Sequence, residues 1–365
     1  MADNTTAASI GGRLELSTMA QEFLAQSARA AGDENTMWQS TWSMVASVNT
    51  RVASSLPAID PALLDIDLHD LWHRYWHGAI NTYPDSPKLD RLVLQIIQTR
   101  EQGVLNHQDQ GTTTEVTASN GRRLWTDLPF LAEDMTAHWT KNCASLSSLQ
   151  RLAGAQFLAL LATAGGAADD PLCGIALVVL REALEQPRLL GRLGPVNEDP
   201  SRRMADLTIA ELLPAANAWL FTAGYKLVQL SDREWEGCDA EVGGFGELVG
   251  FVLGLCCGLL LTIIHSVQVT PGRSTWELPR HVGFSPQRWV WWLRRLDEIA
   301  ATVLEDDDEQ REAGRCMRAF LEGMMDNMLH IAAQTNGPVA QAAKQAAGLV
   351  RHQPRVMLLG PARVD

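Results

Sequence analysis

The chain has 365 residues, of which 46% are hydrophobic and 20% are charged, the balance of a soluble globular protein with material for a large core. Its formal net charge of −13 opposes the neutralisation of nucleic-acid phosphates or anionic lipid headgroups. Neither a nucleic-acid partner nor a membrane partner is therefore expected. The first residues lack the positive cap and apolar stretch of a secretory signal, so a cytoplasmic location is predicted.

The predicted elements are almost all helices. Apolar residues recur at helical spacing over 13–31, 38–55, 145–164, 171–185, 206–230 and 310–334, whereas alternating strand patterns are nearly absent. Proline is tolerated at the first helical position because its missing N–H has no partner there, so four dipeptides mark helix starts: Asp60-Pro61, Ser86-Pro87, Asp170-Pro171 and Ser285-Pro286. The polar stretch 106–123 is predicted to be a loop or a small hairpin. The expected fold class is an all-α, multi-helix globular bundle.

The domain organisation follows from the same patterns. Residues 1–35 are predicted to be an N-terminal segment with one helix, residues 36–350 a helical domain, and residues 351–365 a C-terminal tail. The stretch 186–203 interrupts the helices with three prolines and two glycines. Two interpretations stay open, a single helical domain or two closely packed helical halves that meet near residues 186–205.

A row of histidines dominates residues 68–80, which read LHDLWHRYWHGAI. His69, His73 and His77 border an apolar helical stripe that includes Trp72 and Trp76. They are interpreted as boundary histidines that bond to neighbouring helices, with proton transfer or ligand contact as the alternative. No metal site is predicted, because the zinc-protease spelling HExxH carries Asp70 in place of Glu and three histidines in line span too far for one ion.

Tryptophan is the second conspicuous feature, with twelve copies against three tyrosines. Tryptophan suits both deep packing and the wall of an apolar ligand pocket. If a pocket exists, the candidate catalytic residues are His73, His77 and Arg74, which could move protons or fix a carbonyl. The candidate substrate-binding residues are Trp72, Trp76, His69, Trp289 and Trp292.

Other motifs are weaker. The uncharged run 248–264 has a glycine every four residues and is interpreted as a central buried helix, with a membrane contact as the alternative. The acidic run 305–312 is interpreted as a solvated helix junction rather than the magnesium-binding cluster of all-α terpene synthases. Six cysteines without a CxxC pair indicate that most are reduced core thiols. No cofactor is expected, since no Walker loop, Rossmann unit, GxSxG elbow or zinc-deaminase pattern is present.

Three stretches carry a resemblance, namely LWHRYWHGAINTYPDSPKLDRLVLQIIQTREQG, LWTDLPFLAEDMTAHW and FSPQRWVWWLRRLDEIA. In this order they resemble the landmarks of a fungal helical family catalogued as a domain of unknown function (DUF3632), the oxopyrrolidine biosynthesis cluster protein G-like family. The matching positions are Leu71-Trp72, the run Asp90-Arg91-Leu92-Val93, Trp125 with Leu128-Pro129, and Trp289 with Trp292. The resemblance implies a place beside biosynthetic genes for specialised metabolites. It transfers no catalytic residues, and the histidine row is not part of the pattern.

Two classes of function follow. In the first, the chain is an accessory protein of fungal specialised-metabolite biosynthesis, a cofactor-free catalyst or chaperone whose partner is an apolar small molecule. In the second, it is a non-enzymatic helical module that docks a biosynthetic partner enzyme. A tRNA-dependent peptide-forming enzyme is a third hypothesis, which the negative charge disfavours. Catalysis and the oligomeric state are left open by the residues alone.

Overall fold

A computed structural model describes residues 34–54, 60–109, 111–165, 171–192, 199, 201–249, 282–303 and 310–350. Within these ranges helices predominate, and the sheet is a two-stranded hairpin, so the all-α prediction is confirmed. The helices are α1 (Glu34–Ser54), α2 (Pro61–Ile80), α3 (Pro87–Arg100), α4 (Leu131–Asn142), α5 (Ser148–Ala164), α6 (Cys173–Leu180), α7 (Ile209–Asp232), the single turn α8 (Ala240–Gly243), α9 (Pro286–Thr302), α10 (Gln310–Gln334) and α11 (Pro338–Val350). A π-turn (Arg181–Glu185) follows α6, and a short 3-10 turn (Met204–Asp206) precedes α7.

Three of the helix starts predicted from proline at the first helical position are correct, since α2, α3 and α9 begin at Pro61, Pro87 and Pro286. The Oδ1 atom of Asp60 accepts the Ala62 N–H at 3.0 Å, and Ser285 caps α9 in the same way. Each cap satisfies an N–H that the first helical turn leaves without a backbone partner. The fourth predicted start includes Asp170, which lies outside the described residues, as does the helix predicted over 13–31.

The chain divides into two compact units, and the first comprises 1–81 and 94–134. In it, α1 packs against α2 and against the hairpin of β1 (Asn106–Asp109) and β2 (Thr112–Glu115). The hairpin is antiparallel, so the polar stretch predicted as a loop or hairpin is a hairpin. Its buried His107 holds it to α1, because the ring Nδ1 lies 3.0 Å from the Val52 carbonyl oxygen.

The second unit comprises 82–93 and 135–365 and is organised around α7. This helix packs against α5, α6, α9, α10 and α11, and most of its apolar side chains are buried. Gly224 lets α10 approach, since a Cβ atom there would lie 2.5 Å from the Cδ1 atom of Ile331. The predicted boundary near 186–205 falls inside this unit and stays a prediction, as do the other domain limits.

Two regions with unusual composition fall largely outside the described residues: 250–264 of the uncharged run, and 305–309 of the acidic run. Among the helices that are described, none combines the length and the apolar character needed to cross a membrane. Cys143, Cys173, Cys238 and Cys316 are free thiols, of which the first two are buried.

Candidate functional site

The apolar stripe of α2 forms the core of the first unit. Trp72, Tyr75 and Trp76 are each at most 2% exposed. The indole N–H of Trp72 donates to the carbonyl oxygen of Pro129 at 2.7 Å, which satisfies the one polar atom of a buried ring. The stripe that the helical spacing predicted is therefore the buried side of α2, and the histidines occupy its edge.

His69 has a carboxylate partner on another helix. Its Nδ1 atom lies 2.7 Å from Oδ2 of Asp134, in the first turn of α4, and the two side chains are 22% and 18% exposed. The hydrogen bond to Asp134 raises the pKa of His69 above its ordinary value, burial opposes the rise, and the negative charges of Asp134, Asp65 and Asp70 add to it. His69 is thus a partly accessible imidazole that retains its proton to higher pH than a free histidine.

A strained loop before α4 completes the surroundings of His69. Leu128 and Phe130 have φ values of 44° and 66°, in the left-handed region that side chains disfavour. Between them, Pro129 supplies the carbonyl oxygen that Trp72 binds, while the Phe130 ring lies 4.6 Å from the His69 ring, centroid to centroid. Backbone strain of this kind clusters at functional sites, where the surrounding contacts maintain it.

The other two histidines of the row have a different character. Burial lowers the pKa of His73 to about 4, and the nearby charges of His77 and Arg74 contribute in the same direction. Burial also lowers the pKa of His77, whose ring nitrogens lie 3.2 Å and 3.3 Å from the amide nitrogen of Asn81. His73 is consequently neutral at pH 7 and suited to hydrogen bonding rather than to donating a proton as an imidazolium.

Arg74, the remaining catalytic candidate, donates from Nη1 to the Ser40 hydroxyl oxygen at 2.7 Å. Burial lowers the pKa of its guanidinium. No cluster of three or more His, Cys, Asp or Glu side chains suited to a metal ion occurs in the part of the chain that the structure describes. The structure brings His69 together with Asp134 and Phe130, and Trp72 is joined to the same loop through the Pro129 carbonyl oxygen.

Trp289 and Trp292 belong to the second unit, where both are fully buried on α9. Their rings meet edge to face, with centroids 6.3 Å apart. The Trp292 indole N–H donates to Oε1 of Glu185 at 2.7 Å. Both rings are packed into the interior of this unit, and a ligand contact for them stays a prediction.

Sequence reasoning missed a buried ion pair in the same unit. Arg288 on α9 donates from Nε and Nη2 to the two carboxylate oxygens of Glu185, at 2.7 Å and 3.0 Å. Its remaining N–H groups donate to the carbonyl oxygens of Gly243, Gly244 and Gly283. All five guanidinium N–H groups are therefore used, and the pair holds backbone segments together with no donor left for a ligand. A sequence signal existed for Arg288 alone, which lies between Phe284 and Trp289 in an apolar helical pattern.

A family model described as a protein of unknown function (DUF3632) matches residues 72–296. The chain belongs to the DUF3632 family. It is also 30% identical to oxopyrrolidines biosynthesis cluster protein G of Penicillium oxalicum, over 81% of this chain and 75% of that protein. No solved structure matches the chain. The DUF3632 match includes Trp72, His73, Asp134 and the Glu185–Arg288 pair, whereas His69 precedes it by three residues.

Proposed function

We propose that the protein is an accessory protein of fungal specialised-metabolite biosynthesis that acts on an apolar intermediate without a cofactor, with His69 as the residue that exchanges a proton. The observation that carries the proposal is the 2.7 Å contact between His69 and Asp134. A carboxylate that binds one ring nitrogen fixes the orientation of the imidazole and stabilises its protonated form. The other nitrogen is then presented to a reacting group in a defined direction.

The biosynthetic setting comes from the relative in Penicillium oxalicum, whose name assigns it to an oxopyrrolidines biosynthesis cluster. We carry that setting over to this chain as part of the proposal, together with the cytoplasmic location expected from its sequence. Phe130, whose ring is only partly buried beside His69, supplies an apolar surface for such an intermediate, and the buried Trp72 supports the loop that carries it through the Pro129 carbonyl. Within the same proposal, His73, His77 and Arg74 contribute hydrogen bonds along α2. Trp76 packs in the core on the buried side of this helix.

The test is a metabolite profile of the native fungus with the gene deleted and then restored. The restoring copies encode the intact protein, His69→Gln, Asp134→Asn or the control His330→Gln, which alters an exposed histidine on α10. Glutamine keeps an N–H donor near the position of Nε2 but cannot exchange a proton near neutral pH. We expect the intact and His330→Gln copies to restore the missing compound, His69→Gln to leave its precursor accumulated, and Asp134→Asn to restore it only in part.

Equal restoration by His69→Gln and the intact copy, at equal protein abundance, would remove His69 from the chemistry. A deletion that changes no metabolite while the gene is expressed would remove the biosynthetic proposal itself. Abundance and solubility of each variant are measured by immunoblot, so that a folding defect is not read as a chemical one.

A second candidate function, docking of a partner enzyme, is favoured by one surface feature. Phe221 and Tyr225 lie one turn apart on α7 and are 75% and 51% exposed. Two large rings that share an exposed helix face are typical of a protein contact. A copy that carries Phe221→Ser and Tyr225→Ser separates the candidates: under the docking function it fails to restore the compound while His69→Gln restores it.

A further inference from the structure

We infer that the ligand of His69 is a neutral apolar molecule that presents a carbonyl oxygen to the Nε2 atom of this histidine. The inference rests on the proposed function and deepens it, because it names the chemical class that the site recognises.

The hydrogen bonds of His69 leave one nitrogen for a ligand. Nδ1 is occupied by Asp134, and Nε2 has no hydrogen-bond partner among the described residues. The side chain is 22% exposed, so part of it is open to a small molecule. A ligand that bonds to His69 does so at Nε2, because Nδ1 is held by the Asp134 carboxylate at 2.7 Å.

The charges around the ring decide whether Nε2 donates or accepts. Carboxylates of Asp65, Asp70 and Asp134 all favour the imidazolium form of His69. Asp65 itself accepts the Ser119 N–H at 3.1 Å and is 6% exposed, so its carboxylate is held in place. In the protonated ring that the bonded Asp134 carboxylate favours, Nε2 carries a proton, so it is a donor and its ligand must bring an acceptor.

The same carboxylates select against charged ligands. An anion would meet three negative charges around one imidazolium, and a protonated amine would bring no acceptor and would add a positive charge beside the ring. A neutral carbonyl oxygen accepts the hydrogen bond without either penalty. The charge-assisted bond is also stronger than one between two neutral groups.

The apolar part of the ligand is set by Phe130. Its ring is only partly buried and lies 4.6 Å from the imidazole, inclined by 34°. The ring stands directly before α4, in the loop where Leu128 and Phe130 have positive φ values. An apolar ring beside a single donor recognises a molecule that has an apolar body and one carbonyl.

The test is a titration of the full-length protein, labelled with ¹⁵N-histidine, with two probes of one skeleton. Benzylacetone has a phenyl ring, a short chain and a ketone, and the control probe is the primary amine that replaces its carbonyl group. The ¹⁵N resonance of His69 Nε2 is followed by NMR in the intact protein. The same His69 resonance is followed in the control variant His330→Gln, which lacks a histidine far from the site in the sequence. We expect benzylacetone to shift the His69 Nε2 resonance in a saturable way and the amine to leave it unchanged.

Two variants keep this result separate from the proposed function. His69→Gln retains an N–H donor and is expected to bind benzylacetone within a few-fold of the intact protein, followed by the tryptophan fluorescence, although it cannot exchange a proton. His69→Leu, which has no donor, is expected to bind about tenfold more weakly. Binding by the amine, or equal binding by the leucine variant, would overturn the carbonyl inference. A His69→Gln copy that restores the metabolite would instead overturn the proposed proton exchange and leave the carbonyl contact standing.

Discussion

Glu185 and Arg288 are 103 positions apart in the chain and form a doubly hydrogen-bonded ion pair with neither side chain exposed. Through this pair the π-turn after α6 is joined to α9. The Gly246 N–H also donates to Glu185, at 2.9 Å, and a Cβ atom at Gly246 would lie 2.4 Å from the Glu185 carbonyl oxygen. A glycine at this position is therefore required by the close approach of two backbones.

Glu185→Ala should strongly destabilise the second unit, because it leaves the Arg288 guanidinium buried without a counter-charge. The expected loss in the free energy of unfolding is about 3 to 5 kcal/mol. Urea denaturation followed by tryptophan fluorescence measures it, and Glu322→Ala is the matched control, since the Arg318–Glu322 pair is exposed. The control should cost less than about 1 kcal/mol. Equal losses of stability in the two variants would show that the buried pair does not hold these backbone segments together.

Gly283→Ala should also destabilise the protein. Gly283 has a φ of +103°, and a Cβ atom there would lie 2.1 Å from the carbonyl oxygen of Trp235. The expected loss is about 3 kcal/mol, since both the backbone conformation and the contact become strained. The control is Gly323→Ala in α10, where a Cβ atom meets nothing within 4 Å, and alanine should stabilise the helix by about 0.5 to 1 kcal/mol. Opposite signs of the two shifts in Tm are the expected result.

Glu234→Gly should stabilise the protein, because Glu234 follows the C-cap of α7 with a φ of 52°. Glycine adopts this left-handed conformation without the strain of a Cβ atom, and the gain should be about 1 kcal/mol. Glu236, two positions further on, does not have a positive φ. Glu236→Gly should therefore lower the free energy of unfolding, because glycine gives the unfolded chain more conformational freedom. The Tm values of both variants, measured by thermal unfolding, test these two expectations. A Tm of Glu234→Gly below that of the intact protein would contradict the prediction.

The Asp134 partnership makes the stabilising contribution of His69 depend on pH. The folded-state pKa of His69 lies above 6.5, so this contribution is fully present below pH 6.5 and is lost as the pH rises through the folded pKa. The loss of stability caused by His69→Gln should therefore be larger at pH 5.5 than at pH 9. Urea midpoints of the two proteins at several pH values give this difference directly. A difference that grows with rising pH would contradict the role of Asp134.

His73, one turn further along α2, should change the pH dependence of the stability in the opposite direction. Its folded-state pKa is about 4, so between pH 6.5 and pH 4 this histidine is protonated in the unfolded chain but neutral in the folded protein. The intact protein should lose stability as the pH falls from 6.5 towards 4, and His73→Gln should remove about 2 kcal/mol of that loss. The exposed His330→Gln variant serves as the reference. A His73→Gln variant that loses stability in acid as fast as the reference would show that His73 is readily protonated in the folded state.

Local patterns of the sequence were sufficient for much of the architecture. Helical spacing and the proline caps located α2, α3 and α9, because capping involves residues only two or three positions apart. The same spacing identified Trp72 and Trp76 as one face of a helix, and they are buried. Family membership was likewise readable from short aromatic runs that keep their order along the chain.

The tertiary structure alone decided how the three histidines of α2 differ. They stand at equal spacing in the sequence, yet Asp134, 65 positions from His69, raises the pKa of that histidine, while burial lowers the pKa of His73 and His77. The Glu185–Arg288 pair likewise joins residues from distant elements. Periodicity along a helix records only which side chains share a face, whereas the charge state of a side chain depends on which distant groups and how much solvent surround it after packing.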